Sequence, residues 1–306
     1  VRPVRALCAT TLLGAALLSG CSSSHQSATP SRTTVTVHAA NGNVTIPSTP
    51  RRIVSLDPTA TETLFAIGAD RQVAAVDSLS DYPPRAPKTS LSAYKPNAEA
   101  VIAYRPDLVV MSNDSNGLLA SLQKVRIPVL LQPAATTLAD VYQQITDLGT
   151  ATGHSTQATA LVSTMKQKIG ATVAAVPKPT RPLSYYYELT NDLFTVTSKT
   201  FIGRLYALFG LRNVADPADK QGSGYPQLSR ESLLTANPTM IFLADTRCCG
   251  QNAQTVGSRP GWSALTAVKS GNVFGLDDDI ASRWGPRVVD LVEAIGAAVQ
   301  KAEREQ

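Results

Sequence analysis

The feature that most narrows the possible folds is an internal echo. Residues 99–110 read EAVIAYRPDLVV and residues 231–242 read ESLLTANPTMIF. Each copy opens on a glutamate, runs through a short apolar helical stretch, meets a proline seven residues on and continues as a buried-strand pattern. An aromatic residue, Tyr94 or Tyr225, stands shortly before each glutamate. A unit repeated at matching spacing in two halves of a chain implies two equivalent lobes. Around each copy, short apolar runs alternate with helical patterns. That alternation predicts an open parallel sheet with helices on its faces, not a sandwich or a bundle.

The first lobe is expected over residues 51–150. Ile53–Leu56 reads as a short strand ended by Pro58, and Thr59 or Thr61 is positioned to cap a helix. Leu64, Phe65 and Ile67 form the inner side of that helix, and Gly68 ends it. QVAAVD, YRPDLVVMS and IPVLLQ are further strand patterns. Residues 151–178 form the linker, in which Ala158, Leu161, Val162, Met165 and Ile169 recur at helical steps from about His154 to Val176. PKPTRP stops that helix. The second lobe, residues 179–306, carries the strand patterns LSYYYELT, LFTVTS, TMIFLAD and NVFGLDD. It also carries the helix FIGRLYALFG and a last helix with Pro286 near its first turn. The expected fold is α/β, with two Rossmann-like lobes around central parallel sheets, joined by one long helix and separated by a ligand cleft.

The chain's start sets its compartment. Arg2 and Arg5 precede ALCATTLLGAALLSG, an uncharged run too short for a permanent membrane span, so residues 1–20 read as a signal peptide. Leu18-Ser19-Gly20-Cys21 resembles the lipobox of bacterial lipoproteins, which makes Cys21 the lipidation site. Residues 21–50, rich in serine and threonine at first, are expected to be a lipidated flexible tether. The protein is then exported and anchored by lipid to the outer face of the cytoplasmic membrane. Cys8 leaves with the signal, so Cys248 and Cys249 have only each other as intramolecular partners. A vicinal disulfide fits an oxidising compartment, with free thiols the alternative.

Composition excludes some functions. Apolar residues are 43% and charged residues 17%, as in a globular chain. The net charge of +5 is not gathered into Lys/Arg runs, which argues against nucleic-acid partners. The only histidines are His25 and His38, in or beside the tether, and His154 at the linker. That leaves no histidine for a triad or a His-rich metal site in the cleft, so an enzyme, a metal centre and a resident cofactor are not expected. The run Asp277–Asp279 can hold a hard cation, but Asp277 and Asp278 read better as solvated loop residues. GSGYPQ lacks the lysine and the context of a phosphate loop.

Aromatics at loop–helix junctions are the stronger signal. Tyr82, Tyr94, Phe194, Tyr225 and Trp284 all sit there, and flat side chains on stiff loops suit a bulky planar or chelate ligand. For Phe194 a satellite-core role is equally good. Arg283 can meet an anionic ligand group, an acidic cleft edge or a structural ion pair. Glu99 and Glu231 suit the first turn of a helix, behind the caps Asn97 and Ser229, and can also dock a basic partner.

Taken in order, RIVSLDPTATETLFAIGAD, SDYPP, NAEAVIAYRPDLVV, YPQLSRESLLTANP and SRWGPR cover nearly all of residues 51–300. They resemble the substrate-binding lipoproteins of ABC importers for ferric siderophores, haem and cobalamin, the class III periplasmic binding proteins. The resemblance implies a monomer that captures a metal chelate, cobalamin or another corrinoid, or a ferric siderophore. It implies that Glu99 and Glu231 pair with arginines of the permease, and that Tyr82 is an aromatic ligand contact. Tyr94 and Tyr225 stand where well-known cobalamin binders have tryptophan. Phe194 and Asp279 fall near contact positions, with Arg283 close by. An aromatic position near Ser112–Asn113 is polar here. A haem binder of the same family, and an envelope thiol or redox protein using Cys248–Cys249, are the alternatives.

Overall fold

The computed structural model describes residues 34–179 and 181–304, so the expected signal peptide, the expected lipidation site Cys21 and His25 lie outside the described residues. The first element is an antiparallel hairpin, β1 (Val35–Ala39) with β2 (Gly42–Ile46). This corrects the tether expected up to residue 50. Val37, Val44 and Ile46 alternate with exposed residues and are buried in the main core, which a free tether cannot be. The Asn41 side chain at the turn bonds Val129 and Leu131 of the neighbouring sheet edge at 2.9 and 3.1 Å.

The first lobe's sheet holds β3 (Ile53–Leu56), β4 (Val73–Val76), β5 (Leu108–Met111) and β6 (Val129–Leu131), all parallel, in the order β4-β3-β5-β6. Its helices are α1 (Pro58–Ala66), α2 (Ala98–Ala103), α3 (Leu118–Lys124) and α4 (Leu138–Thr152). Asp57, not a threonine, caps α1 by accepting from the N–H groups of Thr59 and Ala60, with Pro58 as the first helical residue. The linker helix α5 runs Ser155–Ala175. It approaches α4 so closely that a Cβ on Gly149 would lie 2.3 Å from that of Ala158.

The second sheet repeats the first. β7 (Ser184–Glu188), β8 (Arg212–Asn213), β9 (Met240–Leu243) and β10 (Val273–Gly275) lie in the order β8-β7-β9-β10. Ile53 pairs with Leu108 in one lobe, and Tyr185 pairs with Met240 at the equivalent place in the other. The echoed segments form α2–β5 and α7–β9, where α7 spans Arg230–Ala236 and α6 (Phe201–Ala207) precedes it. Arg105 and Asn237, each just before its proline, share a left-handed backbone at φ 50° and 43°. LFTVTS is not a sheet strand. Its backbone pairs instead with the 224–228 segment, through Thr195 N–H to Pro226 O, Thr197 N–H to Gly224 O and Leu228 N–H to Leu193 O.

The remaining helices are α8 (Thr246–Cys249), α9 (Ala253–Gly257), α10 (Thr266–Lys269), α11 (Asp278–Ser282) and α12 (Val288–Arg304). One hydrophobic core runs without a break from Ile53 and Leu108, past Ala158, Met165 and Ile169 of the linker, to Tyr185, Phe242 and Ile295. The lobes are therefore packed against a shared spine formed by α5 and α12. None of the described helices is long and apolar enough to cross a membrane.

Candidate functional site

The C-terminal ends of β3, β4 and β5 deliver Asp57, Asp77 and Ser112 to one side of a cavity of about 260 Å³, and α11 and the residues after it deliver Asp279, Arg283 and Trp284 to the other. Crevices beyond the carboxyl ends of parallel strands are where open α/β sheets bind ligands. Tyr94, 72% exposed, stands on the rim. Of the seven large apolar side chains left exposed among the described residues, five lie on loops that leave such strand ends: Leu79, Tyr82, Tyr94, Phe194 and Tyr225. Unburied aromatics on such loops suit an interaction surface better than a core.

An ion-pair clamp holds the two walls. Glu62, on the inner side of α1 and 2% exposed, accepts from Arg283 Nη1 at 2.8 Å. It also takes Arg287 as a fork, with Nε at 2.8 Å and Nη2 at 2.5 Å. Arg283 further bonds Asp279 at 2.7 Å, Asp81 at 3.2 Å and the Leu79 carbonyl at 3.0 Å. Its side chain thus meets the acidic edge of the cleft. The Tyr82 ring lies over the Arg287 guanidinium, 4.1 Å from its centroid. Trp284 donates its indole N–H to Gln144 of α4 at 3.1 Å. The hydrogen bond to Glu62 holds Arg287 above the usual guanidinium range.

The carboxylates of the cavity feel their burial. Burial pushes Asp57 up to about 7, against the lowering effect of the Ala60 and Thr59 N–H groups. It raises Asp77 against the Ser80 hydroxyl and the Leu79 N–H, and it raises Asp279 against the attraction of Arg283.

The sequence-selected residues divide into groups. Tyr94, Asp279, Arg283 and Trp284 share the cavity. Tyr82 does not line it, since its ring covers Arg287 on the far side of the clamp. Phe194 and Tyr225 lie outside the cavity, side by side in the paired 193–197 and 224–228 segments, and both are exposed. Glu99 and Glu231 stand exposed in the first turns of α2 and α7, behind the caps Asn97 and Ser229.

Asp277 and Asp278 are not solvated loop residues. Asp277 caps α11, and Asp278 accepts from the N–H groups of Thr246, Arg247 and Cys248, fastening α8 to α11. Cys248 and Cys249 close α8 as a vicinal disulfide and are exposed. Sequence reasoning passes over Asp57, Glu62, Asp77 and Arg287. A glutamate directly before the apolar run TLFAI is the one available signal for Glu62.

A second buried ion pair lies in the other lobe. Glu188 takes Arg259 as a fork at 2.6 and 2.6 Å, and that guanidinium sits over Trp262. Beside it Asp245 is buried, with neither carboxylate oxygen hydrogen-bonded. Burial and the nearby Glu188 charge push Asp245 up to about 7.

Residues 53–280 match a family model described as periplasmic binding protein. The chain is 31% identical over 271 residues to an uncharacterised ABC transporter substrate-binding lipoprotein, YvrC of Bacillus subtilis, covering 85% of this chain and 83% of that one. It is 30% identical over 261 residues to a cobalamin-binding protein of Halobacterium salinarum, covering 82% and 70%. Among solved structures it is similar to the periplasmic vitamin B12-binding protein BtuF of Vibrio cholerae, with a TM-score of 0.69 and 25% identity over 84% of this chain and 99% of that one.

Two outcomes are expected. Glu62→Gln leaves two buried guanidinium groups short of charge, and urea unfolding should register a loss of roughly 3 kcal/mol. Asp245 holds its proton in the fold up to about 7, yet loses it near 3.8 when unfolded. Its contribution to stability is therefore complete below about pH 4 and disappears as the pH rises through 7. Urea midpoints should show Asp245→Asn more stable than the parent at pH 8 and no different at pH 4.

Proposed function

The chain belongs to the periplasmic binding protein family, and on that premise we propose that it captures a metal chelate, a cobalamin or related corrinoid first and a ferric siderophore second, and delivers it to an ABC importer. The observation that carries this reading is a cavity walled by both lobes, with Tyr94 exposed on its rim and further exposed aromatics on strand-end loops of each lobe. Tyr94 and Trp284 offer flat faces at the cavity, and Phe194 and Tyr225 offer two more from the second lobe. Each such ring can bury roughly 150–250 Å² of surface with little rotamer loss. Asp279 supplies an acceptor there. Arg283, and Tyr82 through Arg287, keep the walls in register. Binding proceeds without chemistry or a resident cofactor: the protein orients the ligand and excludes water from one face.

Closure on the ligand is small in this reading. A core continuous through α5 and α12, together with Glu62 bridging to Arg283 and Arg287, resists the wide hinge motion that flexible crossover strands permit. Glu99 and Glu231, one on each lobe at equivalent places, dock arginines of the permease. Their contribution is orientation and encounter rate more than affinity. Cys21 carries the lipid that keeps the protein at the membrane's outer face, and the Cys248–Cys249 ring stiffens the loop beside α11.

Titration of the full-length protein with cyanocobalamin should quench tyrosine and tryptophan emission to saturation at micromolar ligand or below. A flat titration there, with ferric hydroxamates equally silent in calorimetry, defeats the proposal. The double variant Glu99→Arg, Glu231→Arg should bind the ligand as the parent does while importer-dependent uptake falls at least tenfold. Unchanged uptake removes the docking role.

A further inference from the structure

The cleft floor is rich in carboxyl groups although the chain as a whole is basic. The sequence sums to +5, yet the cavity is lined by three carboxylates, Asp57, Asp77 and Asp279, against one cation, Arg283. That cation is spoken for. Its Nη1 bonds Glu62 and Asp81, and its Nη2 bonds Asp279, Asp81 and the Leu79 carbonyl. A guanidinium so engaged does not present the open fork with which arginine receives a ligand carboxylate. The next arginine, Arg287, is forked onto Glu62 and covered by Tyr82. The other polar groups on the lining, Thr59, Ser112, Asn113 and Ser282, are neutral. Asp57 and Asp77 are fixed by main-chain N–H groups and the Ser80 hydroxyl, which orient their oxygens without supplying a countercharge.

From this we infer that the cleft selects among chelates by charge, accepting neutral or cationic complexes that present N–H donors and rejecting those that present free carboxylate or catecholate anions. The inference rests on the capture function proposed above and adds to it a rule about the ligand's periphery. An anion entering this half-enclosed space loses water among acidic groups, with no cation of the lining free to receive it. An amide or ammonium N–H meets carboxyl oxygens held in place and gains hydrogen bonds to them, charge-assisted where the group is ionised. A corrin ring bordered by amides, or a ferric hydroxamate with an ammonium tail, lies on the accepted side. Haem with its two propionates and a ferric tris-catecholate lie on the other.

The test uses pairs that differ only in peripheral charge, measured by calorimetry on the full-length protein. One pair is cyanocobalamin and its monocarboxylic acid, in which one corrin amide is hydrolysed. The other is ferrioxamine B and its N-succinyl derivative, which exchanges the ammonium for a carboxylate. In whichever scaffold binds, the parent should bind at least tenfold tighter than its carboxylate. In the double variant Asp57→Asn, Asp77→Asn that ratio should shrink below about threefold, since asparagine still caps α1 but carries no charge. Asp279→Asn serves the same purpose should the double variant fail to fold. A carboxylate that binds as tightly as its parent, or a ratio unmoved by the substitutions, overturns the charge rule alone. So does saturable binding of haem where the four probes fail, which leaves capture itself intact. Silence from all five ligands overturns capture and the charge rule together.

Discussion

Two arginines share one buried carboxylate, and the cleft takes its shape from that arrangement. Glu62 belongs to α1 in the first lobe, while Arg283 and Arg287 flank the turn into α12 in the second. A carboxylate at 2% exposure without such partners would carry an uncompensated desolvation cost, and the two guanidinium groups would have no reason to enter the interface. Once paired, they fix everything on the 279–287 segment. Asp279 is held by Arg283, Trp284 is turned toward Gln144, and Tyr82 is laid over Arg287. The geometry of the ligand wall is a by-product of an ion pair that contributes specificity of arrangement more than net stability.

The two lobes are copies at the level of backbone and differ at the level of loops. Strand order, register, helix caps and even the left-handed residue before proline agree between α2–β5 and α7–β9. That agreement sets Glu99 and Glu231 at equivalent sites on the two lobes. The divergence lies at the carboxyl ends of the strands. The first lobe places carboxylates beyond β3 and β4, whereas in the second Glu188, the last residue of β7, is used internally for Arg259. One scaffold thus supplies an acidic floor on one side and a sealed ion pair on the other.

Much of this fold is legible in the sequence, for a physical reason: apolar periodicity is local. The strands Ile53–Leu56, Leu108–Met111 and Met240–Leu243 and the linker helix Ser155–Ala175 declare themselves by their own residues. Apart from the caps Asp57 and Asp277, the failures are non-local. The hairpin at 35–46 reads as tether because its alternation is short and its burial comes from α4 and β6. LFTVTS has strand chemistry, but the sheet position beside β7 is filled by Arg212–Asn213, and LFTVTS pairs with residues 224–228 instead. Asp278 reads as solvated because its three N–H partners lie some thirty residues earlier. Glu62 is hidden because its partners lie more than two hundred residues away.

The unbroken core has a mechanical consequence. The hydrophobic contacts that join the lobes through α5 and α12 cannot be separated without wetting apolar surface, at roughly 25 cal/mol for each Å² exposed. The molecule is therefore a stiff clip and not a hinged jaw. In the transport role proposed above, emptying the cleft is a task for a partner that grips both lobes at once.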